Sequence, residues 1–95
     1  MDKQCDLVPG QLVRAKAGRD KGSIFLVLEI LDSKFVHIVN GKRRTLEHPK
    51  RKRVTHLQPF NMVVDDFEAM KKSRTFNNAR IKKLLQTYDR NEEDC

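Results

Sequence analysis

The sequence predicts a mainly β domain, five short strands bent into a small barrel, followed by a C-terminal α-helical extension. Three observations lead there. Residues 11–57 hold short runs rich in β-branched and aromatic residues, separated by Gly, Asp, Ser and Asn turn signals. Beyond residue 60 the apolar spacing changes to the i, i+3, i+4 pattern of a helix face. A chain of 95 residues supports one domain with a modest core, which excludes most catalytic α/β architectures. The expected organisation is an N-terminal segment at 1–10, a barrel at 11–60, helices packing on it at 61–88, and a polar, disordered tail at 89–95.

Residues 11–15 (QLVRA) alternate apolar and polar and form the first strand. The glycine-bounded turn AGRDKG at 17–22 leads to a second strand over 23–31 (SIFLVLEIL). Asp32 and Ser33 signal a turn, and residues 35–39 (FVHIV) form the third strand. Asn40-Gly41 reads as a type I′ hairpin leading into a fourth strand over 42–46, with a last short strand at 54–57. The second strand is apolar on both faces, with Ile24, Leu26, Leu28 and Ile30 on one and Phe25, Val27 and Leu31 on the other. A bent barrel encloses only one of them, so the helical extension is expected to cover the Phe25/Val27 face. Residues 77–87 place Ile81, Leu84, Leu85 and Tyr88 on one stripe, with Thr75 or Asn77 as N-cap and Arg80, Lys82 and Lys83 outward. A shorter helix is expected within 63–72, where Val63, Phe67 and Met70 share a side. There Asp65, Asp66 and Glu68 come early and Lys71 and Lys72 late, as the helix dipole favours.

Charge is concentrated in the strand-bearing part. Residues 11–60 carry twelve Lys and Arg against four Asp and Glu, whereas residues 61–95 balance seven against seven, within a chain of net charge +7. A polyanion is the partner this implies. Residues 42–53 (KRRTLEHPKRKR) alone hold seven cations and one anion, whereas a face kept for solubility intersperses the two signs. Arg43, Arg44, Arg51 and Arg53 can fork onto phosphates or stack on bases, and Lys42, Lys50 and Lys52 act as point charges. Pro49 is expected to hold residues 50–53 off the sheet as a loop that follows a phosphate backbone. Arg19 and Lys21, between Gly18 and Gly22, form a second candidate contact, the glycines serving either turn geometry or close phosphate approach. His56 is a candidate to stack on a base or donate to phosphate, with packing as its competing role. The aromatic residues do not cluster with the basic run in sequence, so recognition is expected to follow RNA shape and backbone rather than base identity.

From residue 12 to 39 the chain resembles a KOW motif: LVRA, a loop with Gly18 and Gly22, the long apolar strand IFLVLEIL, a turn, and FVHIV. With the following VNGKRRTLEHPKRKRVTHLQP, residues 9–59 resemble the KOW-type large-subunit ribosomal proteins of archaea and eukaryotes and their small bacterial relatives. The part after Pro59 matches only as a helical appendage. The resemblance implies an SH3-like barrel, a ribosomal or ribosome-associated role, and binding to structured rRNA of the large subunit, with other ribosomal proteins as possible neighbours. The long basic extensions of many ribosomal proteins are missing, so permanent subunit and transient factor stay open. The competing readings are a KOW interaction module docking on a transcription or translation factor, with RNA contact secondary, and nonspecific DNA binding, for which no reader helix is evident.

Enzymatic activity is not expected: there is no nucleophile constellation, no glycine-rich nucleotide loop and no paired carboxylates in an apolar frame. Asp65-Asp66 fits a helix N-terminus better than an acid/base pair. Cys5 and Cys95 read as reduced thiols, and His37, His48 and His56 lack zinc-ligand spacing, so no metal and no cofactor are expected. No run reaches the roughly 18 apolar residues of a membrane span, and MDKQCDLVPGQ carries no secretory signal. The expected protein is soluble, cytoplasmic, monomeric when free, and without a small-molecule substrate.

Overall fold

The computed structural model describes residues 7–94, and of residues 88–94 the backbone alone. Five strands come first, β1 (Gln11–Ala15), β2 (Ile24–Ile30), β3 (Phe35–Val39), β4 (Lys50–Arg53) and β5 (Leu57–Val63). Two helices follow, α1 (Phe67–Lys71) and α2 (Asn78–Asp94). All pairings are antiparallel, and the sheet order is β4-β3-β2-β1-β5. The molecule is thus the small five-stranded, mainly β domain with a C-terminal helix that the sequence predicts. Its sheet is not closed by a ladder. The edges β4 and β5 are joined through one 3₁₀ turn, Val54–His56.

The β2–β3 turn is built by Asp32, whose Oδ1 accepts the backbone N–H groups of Lys34 and Phe35, both at 2.8 Å. Those two bonds stabilise the carboxylate and hold its pKa below the ordinary value. The β3–β4 connection departs from the expected hairpin. Asn40 Oδ1 accepts the N–H groups of both Lys42 and Arg44 at 3.0 Å, a local competitor to a strand ladder, and residues 40–49 form a loop instead of a two-residue turn. The fourth strand therefore lies at Lys50–Arg53 and not at 42–46. Pro49 precedes a sheet strand; it does not hold residues 50–53 away from the sheet. Likewise the expected strand at 54–57 is mostly the 3₁₀ turn, and β5 lies beyond it. Pro59 is tolerated within β5 because that strand is an edge.

Both faces of β2 are buried, as its composition requires. One cluster gathers Phe25 and Val27 with Val13, Ala15, Val36, Ile38, Leu57 and Leu7 inside the bend of the sheet. The other gathers Ile24 and Leu26 with Leu12, Val39, Phe67, Ile81 and Leu85. The helices thus cover the Ile24/Leu26 face, the opposite of the assignment from sequence. The mirror choice arises because strict alternation states which residues share a face and not which face lies inside the bend. Ile30 also changes sides: the β2–β3 register shifts between Val27 and Glu29, and Ile30 packs with the Phe25 cluster.

Helix α2 is capped by Asn77, whose Oδ1 accepts the Arg80 N–H at 2.9 Å. Its backbone continues through residues 89–94, where a disordered tail is expected from composition. Cys5, Cys95 and the Tyr88 side chain lie outside the described residues. Among the described residues no helix is long and apolar enough to cross a membrane.

Ile81 is 1 % exposed and Leu85 5 %, whereas Leu84 is half-buried at the margin of the same cluster. Ile81→Ala should cost about 2–4 kcal/mol in urea denaturation, and Leu84→Ala clearly less. Equal losses at the two positions would contradict this packing. A second expectation concerns pH. Because the Asp32 pKa is depressed in the fold, its contribution is present above the unfolded carboxylate pKa of about 3.9 and lost as pH falls through the folded value. Asp32→Asn should therefore flatten the acid limb of the stability–pH curve.

Candidate nucleic-acid interface

Strand β4 divides its four cations between two faces. Its register sets Lys50 opposite Ile38, Arg51 opposite His37, Lys52 opposite Val36 and Arg53 opposite Phe35. Alternation then sends Lys50 and Lys52 toward the Val36/Ile38 side and Arg51 and Arg53 toward the Phe35/His37 side. Lys52 is 9 % exposed, its Nζ donating to the Ala17 carbonyl at 3.1 Å. It fastens the β1–β2 loop to the edge strand and is a structural residue. Lys50 remains half-buried.

Arg51 and Arg53 are exposed, and both lie over the half-buried ring of Phe35, with guanidinium carbons 4.2 and 5.0 Å from its centroid. Such contacts contribute about 0.5–1 kcal/mol each at exposed sites. They hold two exposed cations over one ring of the sheet. An aromatic ring does adjoin the basic run, contrary to the expectation from sequence separation. Phe35 is sixteen residues from Arg51 and eighteen from Arg53 along the chain, and only the β3–β4 register brings it beside those arginines. The discoverable signal was the shared period of two, Phe35-x-His37 against Arg51-x-Arg53.

The loop cations also divide. Asp20 is buried, and its Oδ2 accepts from Arg44 Nη2 at 2.9 Å and Nε at 3.3 Å, while Arg43 Nη1 lies 3.8 Å from Oδ1. Arg44 is thereby committed to joining the β1–β2 and β3–β4 loops, and Arg43, two-thirds exposed, is shared between Asp20 and solvent. The same tie sets Arg19 and Lys21, both exposed, beside the basic loop. Gly18 and Gly22 adopt positive φ, as their turn requires. His56 is exposed at the end of the 3₁₀ turn, where its carbonyl accepts the Lys16 N–H at 2.8 Å. Lys42 is exposed at the start of the β3–β4 loop.

The anions of the strand-bearing part are engaged. Besides Asp20 and Asp32, Glu29 Oε2 contacts His37 Nδ1 at 2.7 Å. Glu47 accepts the Asn78 amide at 2.9 Å, a bond that lowers its pKa. Among the described residues Arg19, Lys21, Lys42, Lys50, Arg51 and Arg53 have no ion-pair partner. Arg19, Lys21 and Lys42 stand on the two loops beside β4, Arg51 and Arg53 on the Phe35 side of that strand, and Lys50 on its other side. No protein-family model matches the chain, and no curated protein matches it.

The division of labour is testable by stability. Asp20→Ala strands Arg44 and should cost about 2–4 kcal/mol. Lys52→Ala should cost about 1–2 kcal/mol, against less than about 1 kcal/mol for Arg51→Ala or Arg53→Ala. Urea denaturation checks all four, and a cost at Arg51 or Arg53 matching that at Asp20 would reverse the assignment.

Proposed function

We propose that this chain is a KOW-type RNA-binding protein, ribosomal or ribosome-associated, that contacts structured rRNA through the β4 edge and the two loops beside it. The observation that carries this reading is the engagement of every acid in residues 11–60, while six cations on β4 and the loops beside it have no ion-pair partner among the described residues. A polyanion supplies the missing charge, and counterion release from it drives binding. Arg51 and Arg53, exposed over the Phe35 ring, are the residues suited to fork onto phosphate oxygens or stack on an unpaired base. Arg19, Lys21, Lys42 and Lys50 add point contacts along the backbone, with Arg43 joining when it leaves Asp20. Arg44 and Lys52 act by positioning the loops. The role is binding and not catalysis, and a cytoplasmic setting fits an rRNA partner.

A protein-docking reading has one observation in its favour. Val8, Met62 and Val63 are exposed apolar side chains near the β5 edge, on the far side of the sheet from β4. It concerns a different edge and leaves the cationic surface without a purpose.

With four to six phosphate contacts, the affinity for a structured RNA should fall with a log–log salt slope of about −3 to −5. Joint Arg51→Gln and Arg53→Gln replacement should reduce that slope by roughly 2 and leave thermal melting nearly unchanged. Tight binding with a slope near −1 would identify the cations as a solvated face. Crosslinking in cells with sequencing of the bound RNA, and co-sedimentation with ribosomal subunits, tests the ribosomal part.

A further inference from the structure

Between the β1–β2 loop, the start of the β3–β4 loop and α2 lies a groove of about 210 Å³. Gly22, Ser23, Asn40, Lys42, Lys82 and Gln86 supply its polar lining, and among the described residues no carboxylate lines it. Lys82 faces outward on α2, as expected, and lines the groove together with Lys42, contributed by a different element. Neither lysine makes an ion pair or a side-chain hydrogen bond among the described residues.

The remaining polar groups favour an anion as well. The Gly22 carbonyl, an acceptor that would repel one, already accepts Arg14 Nη1 at 2.7 Å. Asn40 Oδ1 is spent on two backbone N–H groups, so its Nδ2 is the group left to donate. The Ser23 hydroxyl and the Gln86 amide add uncommitted donors. The walls are held in place. A β carbon at Gly41 (φ 80°) would collide with the Asn78 carbonyl oxygen, so loop and helix touch backbone to backbone. Asn78 then bridges them, accepting the Leu46 N–H at 2.8 Å and donating to Glu47. Lys82 is presented from a fixed helix. The volume falls below the roughly 300 Å³ of the smallest common ligand pockets, which suits one phosphate group better than a whole nucleotide.

We propose that this groove is a phosphate subsite in which Lys42 and Lys82 hold one phosphate group between loop and helix. As a subsite for the RNA backbone it rests on the RNA-binding reading and extends the contact surface onto α2.

The test compares Lys42→Gln and Lys82→Gln with Lys83→Gln, a control on the same helix, and with joint Arg51→Gln and Arg53→Gln. All are full-length, checked by thermal melting, and titrated with an end-labelled RNA hairpin near 0.1 M salt. Lys42→Gln and Lys82→Gln should each weaken binding about five- to tenfold and lower the salt slope by about 1, and Lys83→Gln should change affinity less than about twofold. If Lys82→Gln matches Lys83→Gln while the arginine pair still loses affinity, the groove is overturned and the RNA reading stands. If the lysine variants lose affinity and the arginine pair does not, the groove stands and the β4 edge is overturned. Amide NMR with inorganic phosphate distinguishes the sources. Shifts at Ser23 and Lys42 that vanish in Lys82→Gln support a subsite that also takes free phosphate, and shifts with the hairpin alone assign it to the RNA backbone. Shifts with neither probe overturn the proposal.

Discussion

Strand β2 carries apolar side chains toward both sides of the sheet, and water can be allowed at neither. Phe25 and Val27 are enclosed by the bend that brings β1, β3 and β5 around them. Ile24 and Leu26 lie on the outer surface of that bend, where no strand can follow, and they need a separate element. The helices meet that demand: Phe67, Ile81 and Leu85 supply the missing cover, and packing of this apolar face stabilises the helices in turn. Once α2 is seated there, its position dictates the backbone at Gly41 and the shape of the following loop.

The cations are distributed by the same architecture. A basic run of this density is usually read as one uniform surface, but a strand alternates, so every second residue of β4 faces the core side. Lys52 tolerates that position because its stem packs while its ammonium reaches a carbonyl at the loop. Asp20 plays the complementary part, a buried carboxylate that captures Arg44. Two of the seven cations of residues 42–53 therefore hold the loops together, and the loops in turn hold the other cations in place. Part of the basic run serves the fold, so its net charge overstates the number of cations free for a partner.

Much of this was legible in the sequence because it depends on local alternation. The first three strands, the opposite facing of Ile24/Leu26 and Phe25/Val27 in β2, the Asp32 turn and the Asn77 cap are each set by residues within a few positions of one another, whereas Ile30 crosses to the Phe25 cluster and Leu31 is exposed. What was not legible is long-range. The side covered by α2, the pairing of Phe35 with Arg51 and Arg53, the capture of Arg44 by Asp20, and the groove lined by both Lys42 and Lys82 all join distant segments. The hairpin reading of Asn40-Gly41 failed for a reason the dipeptide itself contains. An Asn side chain that can close a type I′ turn can equally accept its neighbours' N–H groups, and here the helix docked on Gly41 favours the second use.

The placement of β4 unites these points. As the last strand of an open sheet it exposes unpaired backbone groups, a template for a further strand and a hazard for any small β protein. Arg51 and Arg53 discourage such pairing by charge. The same two residues, lying over Phe35, are the ones a polyanion would meet first. A β chain approaching this edge must desolvate both guanidinium groups, whereas a phosphate backbone neutralises them. The charge on this open edge thus opposes a further β strand, and under the proposed reading it suits a polyanion.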